Sequence, residues 1–187
     1  ADHGRNLDPK DPADVWRMNK KLAGGGSLFD IGIYSLQAAR YITGEEPTEV
    51  CAMTYSTPND PRFKEVEENV NFILRFPSGV LANCTSSYGY SSTKRFQVFG
   101  SNGTLELDPA TDYYRHQLTV RREKVQEERQ IQEQNQFALE MDHLSESVMQ
   151  DRQPKTPGEE GLQDVRLMLA IYEAARTGRT ISVDSRE

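Results

Sequence analysis

The fold is decided by the stretch ENVNFILRFPSGVLANCTSSYGY, residues 68–90. Its first part carries apolar side chains at every second position, so a strand there has one apolar face, formed by Val70, Phe72, Leu74 and Phe76. A Pro-Ser-Gly sequence typical of a turn follows at 77–79, and residues 80–90 are again rich in β-forming types. The stretch therefore predicts a β-hairpin.

Segments on both sides of the hairpin indicate the rest of the architecture. Runs of β-forming residues predict strands at 48–56, 93–100 and 104–108, and a short last strand at Ile181 and Val183. Helical spacing of apolar residues predicts helices at 28–43, 136–151 and 157–177, the last opened by a capping box at 156–159. Because strands and helices are segregated along the chain, residues 1–187 are expected to form one α+β domain. Its sheet is predicted to be large, open and mostly antiparallel, with the helices on one face.

The polar segment 113–135 is expected to form a solvated edge hairpin of the same sheet. A coiled-coil arm is the alternative, although the segment lacks sustained heptads. The face of the sheet without helices would expose Ile73, Leu81 and Phe99 among polar residues. A second copy could cover this partly apolar surface, so we expect a homodimer or tetramer formed through the sheet.

Composition and charge exclude several classes of protein. The 187 residues include 22 basic and 29 acidic side chains, a formal net charge of −7, and this balance argues against a nucleic-acid partner. The apolar stretches are only a few residues long, so no membrane partner or membrane span is expected. No signal peptide is visible, and Cys51 and Cys84 fit free thiols in a reducing compartment, so a cytoplasmic location is expected.

A second informative stretch, WRMNKKLAGGGSLFDIGIYSLQAARYITGEEP, covers residues 16–47. Its glycine segment does not match the G-x-G-x-x-G fingerprint of dinucleotide-binding proteins, because Phe29 interrupts it and no apolar strand precedes it. We interpret residues 24–26 as a hinge into a helix. Ser27 is predicted to cap that helix, with Asp30 in the capping-box position.

One face of this helix contains side chains suited to chemistry. Asp30 and Tyr34 are four residues apart, so they lie on the same side of a helix, and Gln37 extends the polar edge. A carboxylate beside a phenol, just after three glycines, could bind and deprotonate a substrate hydroxyl. A capping aspartate and a half-buried tyrosine would explain the same spacing, and on spacing alone that interpretation is favoured.

The sequence indicates no metal site. His3, His116 and His143 do not have the spacing of metal ligands, and a ligand set around His143 would need partners that the sequence does not supply. The two cysteines have no C-x-x-C spacing and no evident base beside them. We therefore expect no metal and no cysteine nucleophile.

The two ends of the chain resemble one known family. The first part shares Trp16-Arg17, Lys21-Leu22-Ala23-Gly24-Gly25-Gly26 and Asp30-x-Gly32-x-Tyr34. The second part shares Asn135-Gln136-Phe137, Glu140, His143-Leu144, TPGEEGLQD at 156–164 and IYEAARTG at 171–178. In this order, they resemble the C-terminal domain of the glucose–fructose oxidoreductase (Gfo/Idh/MocA) family of NAD(P)-dependent sugar oxidoreductases.

The resemblance implies a function and a set of site residues. It implies a fold like that of the C-terminal domain of glyceraldehyde-3-phosphate dehydrogenase. It also implies that this domain binds a sugar or polyol, and that the hydroxyl-bearing carbon of the substrate gives a hydride to NAD or NADP. By position, Tyr34 would be the acid/base residue and Asp30 the substrate-binding carboxylate, while Trp16 and Arg17 would approach the cofactor. A tyrosine is a poor base near neutral pH unless a cation lies beside it. The family supplies that cation as a lysine from its other half.

The resemblance covers only the second half of the family pattern. The N-terminal Rossmann domain, which holds the cofactor, and its Glu-Lys-Pro sequence are absent from this chain, which begins at Ala1 without a methionine. The chain is therefore expected to be a domain of a longer enzyme and to be inactive by itself. The alternative is a non-catalytic sugar-binding or dimerisation module with the same fold.

Overall fold

The computed structural model describes residues 1–183, in which nine strands form one sheet. The strands are β1 (Asp2–Gly4), β2 (Glu49–Tyr55), β3 (Asn69–Arg75), β4 (Leu81–Ser87), β5 (Thr93–Gly100), β6 (Gly103–Leu107), β7 (Gln117–Arg122), β8 (Val125–Gln130) and β9 (Ile181–Ser182). Their order across the sheet is β8-β7-β6-β5-β1-β4-β3-β2-β9. Every pair is antiparallel except β1 with β4. The predicted α+β class, the central hairpin and the edge hairpin are confirmed.

The central hairpin β3–β4 supplies the middle of the core. Burial alternates along β3 as its sequence predicts, and its apolar face is almost fully enclosed, with Val70, Phe72, Leu74 and Phe76 each at most 2% exposed. This face packs against helical side chains that include Leu36, Leu167 and Ile171. Burial of these side chains removes apolar surface from water and holds the helices on the sheet.

The helices are α1 (Pro12–Val15), α2 (Lys20–Ala23), α3 (Ile33–Thr43), α4 (Gln136–Met149) and α5 (Gly158–Thr177). Short 3₁₀ turns lie at Trp16–Met18 and Pro61–Phe63. The predicted helix 28–43 is present, but its first turn, Leu28–Gly32, is π-helical. It ends as predicted at Gly44, whose φ of 68° is in the left-handed region that glycine adopts most readily.

The prediction that all three long helices cover the sheet is wrong for α4. This helix forms almost where expected, yet Ser147 is its only buried residue. Its large apolar side chains are exposed: Phe137, Leu139, Met141, Leu144, Val148 and Met149. Within residues 1–183, the π-helical turn, α3 and α5 contribute the helical side chains of the main core.

Both predicted capping boxes are also wrong. Ser27 makes no capping bond, because its hydroxyl faces β4 and lies 3.4 Å from the carbonyl of Ser86. The residue that precedes α5 is Pro157 rather than Thr156, and it has no side-chain cap. Ser27 thus bonds to β4 instead of capping its own helix. Before α5, the N-cap position is occupied by a proline, whose side chain has no hydrogen-bonding group.

The strand β1 was not predicted, since three residues carry no readable alternation. It lies in the centre of the sheet, parallel to β4 and antiparallel to β5. Its partners supply the hydrogen bonds that define it as a strand. The sheet is therefore mixed, and the first residues of the chain join its two antiparallel parts.

A buried ion cluster fastens α3 to α5. The guanidinium of Arg40 is 2.8 Å from Asp164, which is 1% exposed, and it also pairs with Glu46 and Glu160. Gln37 donates a second bond to Asp164 at 2.6 Å. Burial lowers the pKa of Arg40, but the surrounding carboxylates outweigh it and the net shift is upward. The Arg40 guanidinium therefore stays protonated within the cluster.

Other sequence expectations are settled by burial. Cys51 and Cys84 are free thiols, and burial raises the pKa of the Cys84 thiol to about 12, so it is unreactive.

Strand register places Ile73, Leu81 and Phe99 on the face opposite α3 and α5, where they are exposed. Within residues 1–183, none of the helices has the length and apolar character needed to cross a membrane.

Gly32 sets how closely the π-helical turn approaches the sheet. A Cβ atom added at Gly32 would lie 2.7 Å from the hydroxyl oxygen of Ser86 on β4, whereas one added at Gly161 in α5 would meet nothing within 4 Å. Gly32→Ala should therefore destabilise the chain by about 1–3 kcal/mol through overpacking. Gly161→Ala, the matched control, should raise stability by about 0.5–1 kcal/mol. Urea unfolding of both variants measures this, and equal effects would contradict the close approach.

Candidate functional site

The glycine segment 24–26 is held by one carboxylate. Glu67, in the loop before β3, accepts hydrogen bonds from the backbone N–H groups of Gly26 at 3.0 Å and Leu28 at 2.9 Å. The hydroxyl of Tyr172 on α5 donates to the same carboxylate at 3.0 Å. Burial raises the pKa of Tyr172, and the charge of Glu67 raises it further, so the phenol stays protonated. An acidic side chain thus occupies the position at the start of a helix where a phosphate could otherwise bind.

The π-helical turn presents Asp30 to two arginines. One oxygen of its carboxylate is 3.0 Å from Nε of Arg17, and the other is 3.7 Å from a guanidinium nitrogen of Arg5. Arg5 and Arg17 also pair with Asp14, at 2.5 Å and 3.6 Å. The expected capping role of Asp30 is therefore replaced by an ion-pair cluster.

Asp30 retains one buried acceptor without a hydrogen bond. Its Oδ2 is enclosed, yet no donor of residues 1–183 hydrogen-bonds it. A buried acceptor left unpaired costs about 1–3 kcal/mol, so such atoms are uncommon and often mark ligand sites. The charge of Asp30 also contributes, after burial, to the raised pKa of Tyr88 below it.

Tyr34 lies at the start of α3 and is 45% exposed. Its ring stacks on His3 of β1, with the ring centroids 4.9 Å apart and the planes inclined by 20°. No residue of the described chain hydrogen-bonds the Tyr34 hydroxyl. The structure thus stacks Tyr34 on a histidine whose spacing in the sequence indicated no site, and leaves the phenol without a hydrogen-bond partner among residues 1–183.

His3 is buried beneath the site. Its Nε2 is 3.2 Å from the hydroxyl of Thr111, and its Nδ1 is buried without a partner among residues 1–183. Burial and the charge of Lys94 lower its pKa to about 4, while Asp30 and Asp112 act weakly in the opposite direction. The imidazole is therefore neutral near pH 7. Only the β1 pairing, which the sequence pattern did not show, indicates its proximity to the helix.

A cavity of about 850 Å³ opens beside Tyr34. Residues of α3, the start of α5 and the loops at 111 and 155–157 line it, including Gln37, Tyr41, Phe96, Thr111 and Lys155. Aromatic rings together with amide, hydroxyl and ammonium groups are suited to a small polar ligand. Gln37, predicted as part of the polar edge, reaches this cavity but uses its amide to bond Asp164.

The two residues expected at the cofactor lie next to each other. Trp16 is 43% exposed, and the guanidinium of Arg17 lies 4.4 Å from the centre of its ring. Arg17 also contacts the carbonyl of Ala13 and holds Asp30. The structure therefore connects Arg17 directly to the carboxylate of Asp30. Residues 1–183 contain no group of three or more histidine, cysteine or acidic side chains arranged to hold a metal ion.

The comparison with family models decides the relationship of the chain. The model of the Gfo/Idh/MocA oxidoreductase family, C-terminal alpha/beta domain, matches residues 2–183. The chain belongs to this oxidoreductase family. The resemblance found in the sequence is thereby confirmed over nearly the whole length of the chain.

Two relatives of this Gfo/Idh/MocA domain are similar to it over nearly its whole length. The crystal structure of aldose-aldose oxidoreductase from Caulobacter crescentus, complexed with glycerol, superposes with a TM-score of 0.90 at 48% identity and covers 97% of this chain and 54% of that one. D-xylose 1-dehydrogenase [NADP(+)] from Haloarcula marismortui is 30% identical over 189 residues, covering 97% of this chain and 52% of the relative. The chain thus spans about half the length of each.

A more distant structure shares the fold. The 3-ketoreductase KijD10 from Actinomadura kijaniata, in complex with NADP and TDP-benzene, has a TM-score of 0.80 at 23% identity. It covers 93% of this chain and 52% of that one. In each of the three comparisons, the Gfo/Idh/MocA domain therefore matches about half of the length of the other protein.

The buried His3 should make the stability of the chain depend on pH. Because its pKa falls from 6.5 to about 4 on folding, the unfolded chain binds a proton there between these values and the folded chain does not. Stability should therefore be complete above pH 6.5 and decline as the pH falls towards 4. Between pH 7 and pH 4.5, the wild type should lose about 2 kcal/mol more than His3→Gln, which cannot titrate.

Urea unfolding of both proteins at the two pH values measures this difference. Carboxylates with lowered pKa, such as Asp60 and Asp112, also favour the folded state at higher pH, but they are present in both proteins and cancel. Equal losses in the wild type and His3→Gln would show that the His3 pKa is not lowered by folding.

Proposed function

We propose that this chain is the substrate-binding and catalytic half of a NAD(P)-dependent oxidoreductase that interconverts a hydroxyl and a carbonyl group on a sugar or polyol. The observation that supports this most strongly is the exposed phenol of Tyr34 at the edge of a cavity large enough for a sugar, four residues after the ion-paired Asp30. The names of the relatives, an aldose-aldose oxidoreductase and a xylose dehydrogenase, support the same chemistry.

The roles of the two site residues follow from their surroundings. Tyr34, as the tyrosinate stabilised by the lysine expected from the other half of the enzyme, would take the proton of the substrate hydroxyl when the carbonyl forms, and the phenol would return it in the reverse direction. Asp30, fixed by Arg17, would accept a hydrogen bond from a substrate hydroxyl at its Oδ2, which lies 3.7 Å from Arg5 and accepts no hydrogen bond from residues 1–183. A bound nicotinamide accepts or supplies the hydride of this conversion. Proton and hydride together balance the oxidation of the alcohol.

The described chain does not fit the diphosphate of a dinucleotide by itself. The amides after its glycine segment already bond to Glu67, whose negative charge would repel a phosphate. We therefore propose that NAD or NADP is bound mainly by a second, N-terminal domain of the natural protein. Trp16 is exposed beside the Arg17–Asp30 pair, and we propose that Trp16 and Arg17 approach the bound cofactor.

The gene sequence upstream of the codon for Ala1 tests the two-domain proposal. A dinucleotide-binding strand–helix unit and a Glu-Lys-Pro sequence are expected there. Their absence would leave the chain as a non-catalytic sugar-binding or dimerisation module. Titration of the 187-residue chain with NAD and NADP is the second measurement, and binding with micromolar affinity would contradict the placement of the cofactor on another domain.

Tyr34→Phe in the full-length protein removes the hydroxyl and keeps the ring. We expect kcat to fall by about 10²–10⁴-fold, the usual contribution of a positioned acid/base group. Tyr55→Phe, at an exposed tyrosine of β2, is the matched control and should keep wild-type kinetics. Near-normal turnover of Tyr34→Phe with an aldose substrate would show that Tyr34 only packs.

Asp30→Asn keeps the size of the side chain and removes its charge. We expect kcat to fall and the KM for the sugar to rise together, because Asp30 both binds and orients the substrate. The affinity for NADP should stay within about threefold of wild type, since the cofactor is proposed to bind mainly elsewhere. Steady-state kinetics with cofactor titration separate these effects, and an unchanged KM would contradict substrate binding by Asp30.

We also propose that the chain forms a homodimer or tetramer through the open face of its sheet. That face exposes several large apolar side chains in register, namely Met53, Ile73, Leu81 and Phe99, the last 78% exposed. Burying them against a second copy would remove this surface from water.

Light scattering tests the assembly directly. Ile73→Asp with Phe99→Asp should shift the molecular mass to that of a monomer, because each charge would be buried unpaired at the interface. Leu139→Asp on the exposed helix α4 is the control and should leave the mass unchanged. A wild-type protein that is monomeric at high concentration would refute the proposal.

A further inference from the structure

His3 is a buried titratable side chain that the proposed reaction does not use. It is 3% exposed although it belongs to a strand of only three residues. The register of β1 pairs it with Ser86 of β4 and Lys94 of β5. Ser86 is also the residue that Gly32 approaches, so His3 lies one strand away from the contact that seats the π-helical turn.

The His3 ring is the firm partner in its contact with Tyr34. The two rings stack at 4.9 Å between centroids, within the range where aromatic pairs attract each other. Tyr34 is nearly half exposed and lies at the first turn of α3, whereas His3 is enclosed by the sheet. The buried imidazole therefore restricts the exposed phenol, rather than the reverse.

His3 is itself held by a hydrogen bond to the loop after β6. Its Nε2 and the Thr111 hydroxyl share a hydrogen bond of 3.2 Å. The adjacent Lys94 is paired with Asp112 at 2.7 Å. Asp30 is the third charged group that affects the pKa of His3, after Lys94 and together with Asp112. Because the imidazole is neutral, it stacks on the Tyr34 phenol without placing a charge beside that ring.

We propose that His3 is a positioning residue that holds the Tyr34 hydroxyl in place for proton transfer. The inference rests on the proposed acid/base role of Tyr34. Stacking and the Thr111 bond together define the orientation of the imidazole, and the imidazole defines that of the phenol. A misplaced phenol would lower the rate of proton transfer while substrate binding by Asp30 continued.

Kinetics of the full-length protein with an aldose and NADP test the role. His3→Leu replaces the imidazole with an apolar side chain and removes the stack. We expect kcat to fall by about 10–100-fold with the KM for the sugar within about threefold of wild type. His3→Phe restores a flat ring and should recover at least a tenth of the wild-type kcat. A loss of kcat that is equal in His3→Leu and His3→Phe would overturn positioning by the stack.

Thr111→Val keeps both rings and removes the hydrogen bond that holds the imidazole. Thr111 also lines the cavity, so Thr111→Ser, which keeps the hydroxyl, is its matched control. Thr111→Val should lower kcat by about 3–10-fold relative to Thr111→Ser. This result decides the question if the His3 variants fail to fold, as judged from their thermal melting. An unchanged kcat in Thr111→Val would contradict a positioning chain from Thr111 through His3 to Tyr34.

NMR of the 187-residue chain separates this inference from the proposed reaction. Ring-current shifts should move the Tyr34 ring protons upfield in the wild type and in His3→Phe, and these shifts should be lost in His3→Leu. Absence of the shifts in the wild type would overturn the positioning proposal. Tyr34 shifts of the expected kind, together with an active Tyr34→Phe enzyme, would instead overturn the proposed role of Tyr34 and, with it, the reason for positioning it.

Discussion

The carboxylate of Glu67 is the constraint on which the site depends. It accepts two backbone amides at the start of the π-helical turn and a phenol from α5, so it joins the loop before β3, the glycine segment and the last long helix. Gly26 has no room for a side chain, because an added Cβ would overlap the backbone of Glu67. The glycines are therefore explained by protein contacts. In the sequence, the glycine segment suggests a nucleotide-binding loop. In the structure, the acidic side chain of Glu67 occupies the backbone amides that a phosphate would need.

The π-helical turn has a direct effect on the site. A π-helical turn has a wider hydrogen-bonding pattern than an α-helix, and such turns are frequent at functional sites. Here it carries Asp30, and the regular helix that follows carries Tyr34. The turn lets the carboxylate reach Arg17 and Arg5 while α3 keeps its packing on the sheet. The spacing of four residues predicted that Asp30 and Tyr34 share one side of a regular helix, whereas the structure divides them between a π-helical turn and α3.

The sequence predicted what depends on periodicity and missed what depends on distant partners. Alternation along 69–75 is a local property, and burial follows it residue by residue. The capping role of Ser27 failed because its hydroxyl faces β4, more than fifty residues away in the chain. His3 could not be placed at the site, since only pairing with β4 and β5 brings it beneath Tyr34. The exposure of α4 likewise depends on what surrounds the helix, and amphipathic spacing alone does not report that.

The central position of β1 has a consequence for how the sheet assembles. The strands β2, β3, β4 and β9 form one antiparallel group and β5 to β8 another, and β1 alone hydrogen-bonds to both. Each group consists mainly of short-range pairings, whereas β1 pairs with residues more than eighty positions away. Pairings of such high contact order form slowly, because a long loop must close first. Until they form, β4 and β5 are open edges able to pair with other chains, so the three residues Asp2–Gly4 protect the folding protein from aggregation.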